Sequence, residues 1–79
     1  MARYSVQTKK SPEAVIQMAV GYFGEEGLGL SVGTEDACCV TFEGGGGHVS
    51  VAVSQEGKTT VELETHEWDY QVKTFMRQL

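Results

Sequence analysis

Two carboxylates and two imidazoles are the groups of this chain whose types and spacing could do chemistry together: Glu43, His48, Glu64 and His66. Brought onto one surface, they would suit a histidine acting as general acid and base. They would also suit mixed nitrogen and oxygen coordination of a divalent cation. The competing interpretation is cross-strand charge pairing on a wet sheet face, worth about 0.2–1 kcal/mol per pair. Ser50 follows His48 by two positions, but no nucleophile motif surrounds it, and the zinc, calcium and hydrolase-triad signatures are absent. The sequence therefore predicts no catalytic residue, no metal site and no cofactor. It leaves Glu43, His48, Glu64, His66 and Trp68 as candidate ligand-binding residues.

Beside His48 runs a tract of four glycines, Gly44 to Gly47. A phosphate-binding nest would need a Lys followed by Ser or Thr and a helix starting after the loop. Here Val49 begins a strand pattern instead, so the tract reads as a hairpin connection. Four glycines exceed what a turn needs, which suggests a mobile flap or plain tolerance.

The elements that must position these groups follow from periodicity. Arg3 to Thr8 alternates as a short strand. Ser11-Pro12-Glu13 supplies an N-cap, a proline at the first helical position and an acid in the first turn. The helix runs to Phe23 on a stripe of Val15, Ile16, Ala19, Val20, Tyr22 and Phe23, and Gly24 and Gly27 end it. Four strands follow, with apolar positions Leu28, Leu30, Val32; Cys38, Val40, Phe42; Val49, Val51, Val53; and Thr59, Val61, Leu63. Each alternates with small or polar residues, as strands with one dry and one wet face do. Thr34-Glu35-Asp36 supplies the first turn between them. Glu67 to Leu79 returns to helical period, with Trp68, Val72, Phe75 and Leu79 on one side, Thr65 or His66 as cap, and Glu67 and Asp69 at the positive end of the dipole.

Cross-strand neighbours must share a face, so hairpin registers can be inferred. A three-residue loop Gln55-Glu56-Gly57 would set Val51 opposite Val61, His48 opposite Glu64 and Ser50 opposite Glu62. A four-residue glycine loop would set Phe42 opposite Val49 and Glu43 opposite His48. The wet face would then carry a row Glu43, His48, Glu64, with His66 diagonally beyond. Trp68 reads as core packing, or as one wall of a small apolar pocket between the last helix and the sheet.

The order β-α-β-β-β-β-α describes one α+β domain over residues 1–79, a two-layer sandwich with a five-stranded antiparallel sheet and both helices on one face. In outline this topology resembles the TBP-like and helix-grip folds, including the lipid-binding and polyketide-cyclase-like proteins, which are longer. That resemblance covers the whole chain and implies a fold, with no activity attached.

The chain has 79 residues, 41% of them hydrophobic, enough for one modest core. Eleven acidic residues against six basic ones leave a net charge of −5, which disfavours phosphate backbones and anionic lipid surfaces. Neither nucleic acid nor a membrane is expected as a partner, and no membrane-spanning run or signal core stands out, so a cytoplasmic location is expected. Adjacent Cys38 and Cys39 would point to opposite faces of a strand and read as two reduced thiols. What remains is a small binding module for an unknown small molecule or protein, an oligomerising protein, or a minor His/carboxylate metal or acid–base site on the open sheet face. The strand Leu28–Val32 is the expected edge through which a homodimer would form.

Overall fold

The computed structural model describes residues 2–79. Their elements are β1 (Ala2–Thr8), α1 (Pro12–Phe23), β2 (Ser31–Glu35), β3 (Cys39–Gly44), β4 (Gly47–Glu56), β5 (Lys58–His66) and α2 (Asp69–Met76). The strands form one antiparallel sheet in the order β1-β5-β4-β3-β2, so β1 and β2 are its edges.

Helix α1 starts where the sequence predicts. Ser11 is extended, its hydroxyl accepts from the Ala14 N–H at 3.2 Å, and Pro12 takes the first turn. Val15, Ile16, Ala19 and Phe23 are buried against the sheet, with Val20 and Tyr22 partly buried beside them. From the sheet come Val40, Phe42, Val49, Val51, Val53, Val61 and Leu63, and from α2 come Val72 and Phe75. Phe23 is the centre of the aromatic packing, with ring centroids 5.0 Å from Tyr22, 5.4 Å from Phe42 and 5.3 Å from Phe75. Both helices thus cover one face and leave the other open.

Four details depart from the sequence expectation. First, β2 is Ser31–Glu35 rather than Leu28–Val32. The amides of Leu28, Gly29 and Leu30 donate instead to the carbonyls of Tyr22, Gly24 and Phe23, the free carbonyls that the end of α1 leaves over. Leu30 is buried just before the strand, and every residue of β2 is exposed.

Second, β4 and β5 pair two residues out of the inferred register. Val51 faces Leu63, Val53 faces Val61 and Val49 faces Thr65. Gln55 and Glu56 continue the strand, and Gly57, at φ 83°, makes the turn between Glu56 and Lys58. A two-residue slip leaves every side chain on its own face, so alternation cannot sense it.

Third, α2 is not capped by Thr65 or His66. Thr65 is fully buried in β5, where its hydroxyl donates to the His48 carbonyl at 2.8 Å. Glu67 turns the corner at φ 76°, and Trp68 stands at the cap with no side-chain cap bond.

Fourth, Cys38 and Cys39 are joined by a disulfide rather than standing as two thiols. Strand alternation does not apply to Cys38, because β3 begins only at Cys39. Cys38 lies in a bend where the Asp36 carboxylate accepts from the amides of both cysteines, at 3.0 and 2.9 Å.

The glycine tract is a tight turn, not a flap. Gly44 pairs with Gly47, and only Gly45 and Gly46 form the loop, at φ 58° and 80°. Two successive left-handed residues match the twist of a two-residue hairpin and favour glycine strongly. The outer two glycines are held by neighbours. A Cβ on Gly44 would stand 2.6 Å from Leu30 Cδ2, and one on Gly47 would strike the His66 carbonyl and lie 2.7 Å from Glu67 Cβ. The tip of this hairpin is where the entry to β2 and the corner between β5 and α2 close on the sheet.

Candidate site on the open sheet face

Rows of side chains cross the open face. The first, from β2 to β5, is Ser31, Glu43, His48, His66. The second is Thr41, Ser50, Glu64, Arg3, and the third is Cys39, Ala52, Glu62, Ser5. Glu43 therefore faces His48, as the glycine-loop register predicts. Glu64 does not face His48. It lies one row on, opposite Ser50, and His66 takes the position directly across from His48.

The two imidazoles lie nearly parallel, 21° apart, with centroids 6.3 Å from each other. His66 Nε2 is 3.5 Å from Glu67 Oε1, in a pair that is half exposed on both sides. Glu64 is committed elsewhere: Arg3 Nε donates to its Oε2 at 2.8 Å. Arg3 is 84% exposed, so this ion pair contributes only about 0–1 kcal/mol. Hairpin patterning shows nothing of Arg3, because β1 reaches β5 only through the closure of the whole sheet.

The second and third rows line a shallow concavity of about 430 Å³. Its floor carries small side chains, Ser5, Thr41, Ser50 and Ala52, and the acids Glu62 and Glu64 stand with Arg3 on one side of it. Cys39 borders it on the β3 side. The histidine row lies outside it, and so does Trp68.

Trp68 belongs to the packing. Its indole N–H donates to the Gly44 carbonyl at 2.9 Å, and its ring lies against the hydrophobic core. Of the five sequence candidates, then, Glu43, His48 and His66 share one row, Glu64 sits in the next, and Trp68 holds the glycine turn from the other face.

A separate polar cluster joins β1 to α2. The Tyr4 hydroxyl donates to Asp69 Oδ2 at 2.8 Å, and Lys73 Nζ lies 5.7 Å from the centre of the Tyr4 ring. The hydrogen bond to the Asp69 carboxylate, then desolvation and the negative charge of Asp69, hold the Tyr4 phenol above its ordinary value of 10.0. No helix among the described residues is long and apolar enough to cross a membrane.

No protein-family model matches this chain, and no curated protein matches it. Among solved structures, the solution structure of the Aha1 dimer from Colwellia psychrerythraea is similar, with a TM-score of 0.63 and 15% sequence identity. The match covers 100% of this chain and 96% of that one. The shared property is the fold, and it supports the helix-grip side of the topological resemblance.

Proposed function

We propose that this chain is a non-catalytic protein-binding module whose partner is a second copy of itself, joined edge to edge through β1. The observation that carries this is the difference between the two sheet edges. Strand β2 is five residues long, its pairing with β3 is interrupted between Val32 and Glu35, and the Thr34 amide is spent on Thr41 Oγ1. Short, bulged edges resist pairing with another strand. Strand β1 has seven residues in unbroken register with β5, and Tyr4 and Val6 are only half buried along its edge. Its outer backbone groups form a template for a further strand.

An antiparallel pairing about a two-fold axis at Ser5 would set Tyr4 of one copy opposite Val6 of the other. Aromatic and β-branched residues make favourable cross-strand pairs. Arg3 would lie opposite Gln7, so no like charges would meet. The similarly folded Colwellia protein is described as a dimer, which is consistent with this reading.

Sedimentation of the wild type, Ser5→Lys and Val32→Lys tests it. Ser5→Lys would place two lysines face to face on the axis, and an exposed lysine leaves the monomer fold intact. A wild-type dimer that Ser5→Lys dissociates and Val32→Lys does not is the expected result. A monomer into the high micromolar range would overturn the reading. Dissociation by Val32→Lys alone would move the interface to β2, the edge that alternation singles out.

The concavity favours a second reading, a small organic cation held against Glu62 and Glu64. A titration with putrescine would then shift the amides of Ser50, Ala52, Glu62 and Glu64. Shifts spread evenly over all acidic residues would sink it.

A further inference from the structure

Cys38 and Cys39 stand at the turn between β2 and β3, with Asp36 beside them. One ligand atom from each, the two sulfurs and a carboxylate oxygen, all lie within 4.8 Å of one another. We propose that the reduced Cys38–Cys39 pair, together with Asp36, binds one thiophilic divalent cation of the zinc or cadmium class, and that the disulfide is the closed form of the same site.

The framework that presents the sulfurs is independent of the bond between them. Asp36 Oδ1 accepts from the Cys38 and Cys39 amides. The Asp36 amide donates to the Cys39 carbonyl at 2.9 Å, and the Val53 amide donates to the Cys38 carbonyl at 2.8 Å. These four hydrogen bonds involve no sulfur, so reduction leaves the loop held. Two thiolates from adjacent residues then form a chelate, and soft sulfur ligands select zinc-like ions over hard cations. The amide-accepting Oδ1 leaves Oδ2 as the third donor, and solvent supplies the fourth. Asp36 and Cys38 are exposed and Cys39 is half buried, so ion and reductant can both reach the site. The net charge of −5 favours a cation.

The chemistry balances in two steps. An external dithiol reductant gives two electrons and two protons to the disulfide, yielding two thiols and the oxidised, disulfide form of the reductant. The two thiols then release two protons as they bind one divalent cation. In the reverse direction the disulfide form of the same external dithiol takes two electrons from the two thiolates and two protons from solvent, returning as the dithiol, while the Cys38–Cys39 disulfide re-forms and the ion is released, which makes binding redox-gated.

The test is a cadmium titration of the whole chain, oxidised and reduced, the latter with a phosphine that contributes no thiol. The ultraviolet sulfur-to-cadmium charge-transfer band is the readout, which histidine and carboxylate ligands do not produce. Its expected saturation is at one equivalent in the reduced protein, with no band in the oxidised protein. Cys38→Ser and Cys39→Ser should each remove saturation at one equivalent. Asp36→Asn keeps the amide-accepting oxygen and should weaken binding by about tenfold or more, the least that even outer-shell partners cost. Amide spectra of each variant report that the sheet is intact. A reduced wild type without the band, a band unaltered by Cys39→Ser, or binding unaffected by Asp36→Asn would overturn the corresponding ligand assignment, and the first would overturn the site.

Discussion

The Trp68 indole donates to the Gly44 carbonyl across the end of the sheet, and its ring occupies the space where a side chain on Gly45 would stand, 2.8 Å from a Cβ placed there. Two separate constraints therefore fall on Gly45: its left-handed backbone and the ring. Gly46 carries the backbone constraint alone, since none of the described residues lies within 4 Å of its Cβ position. Gly46→Ala should cost about 1 kcal/mol for the left-handed conformation, and Gly45→Ala about 2–3 kcal/mol once the contact with the ring is added. Trp68→Phe loses the hydrogen bond and should cost about 1 kcal/mol. Urea unfolding of the three variants checks the order. Equal losses at the two glycines would mean that the ring does not press on the turn.

Thr59 and Thr65 are both buried in β5 and should respond oppositely to valine. The Thr59 hydroxyl has no hydrogen-bond partner among the described residues although the residue is 1% exposed. Replacing an unsatisfied buried hydroxyl by a methyl of similar shape removes a desolvation cost, so Thr59→Val should stabilise by about 1 kcal/mol. The Thr65 hydroxyl donates to the His48 carbonyl, and Thr65→Val should destabilise by about 1 kcal/mol by leaving that acceptor without its bond. Denaturation midpoints at constant slope give both signs.

The Tyr4–Asp69 contact adds a pH dependence at the alkaline end. Because the folded-state value of Tyr4 lies above the unfolded value of 10.0, its contribution to stability is full below pH 10. It falls as pH rises through the folded-state value, where the phenol ionises and can no longer donate. Absorbance titration of the phenolates should show one late component. Tyr4→Phe removes that component along with the alkaline loss of stability. Asp69→Ala, which removes the accepting oxygen together with the charge, brings Tyr4 back towards 10, since the bond to Asp69 is the largest cause of the shift. A late component that survives Tyr4→Phe would assign it to another tyrosine.

Alternation and capping made most of this architecture legible. Val49, Val51 and Val53 lie inward as their spacing requires, and Ser11-Pro12 starts α1. The failures are tertiary. Nothing local announces that the amides of residues 28–30 will be taken by the end of α1, which delays β2 to Ser31. Period 2 fixes a face but not a partner, so Glu43 opposite His48 was readable from one tight hairpin while Glu64 was displaced by the other. The glycine tract looked permissive because its reason, Trp68, is 24 residues from Gly44 in the chain and reaches it only through the corner at Glu67.

The register of β4 on β5 decides what the histidine row can bind. With His48 and His66 directly paired and their rings 6.3 Å apart, the row offers two neighbouring imidazoles, with Glu43 across β3 and Glu67 beside His66. Imidazole suits nickel, so Ni²⁺ should broaden the ring signals of His48 and His66 together, at a weak, exposed site. His66→Ala should abolish the paired broadening. Glu64→Gln should leave it unchanged, because Glu64 lies one row away and bonds to Arg3. Had β5 paired two residues earlier, Glu64 would face His48 and the same substitution would weaken the site. Loss of paired broadening in Glu64→Gln would therefore contradict the observed register itself.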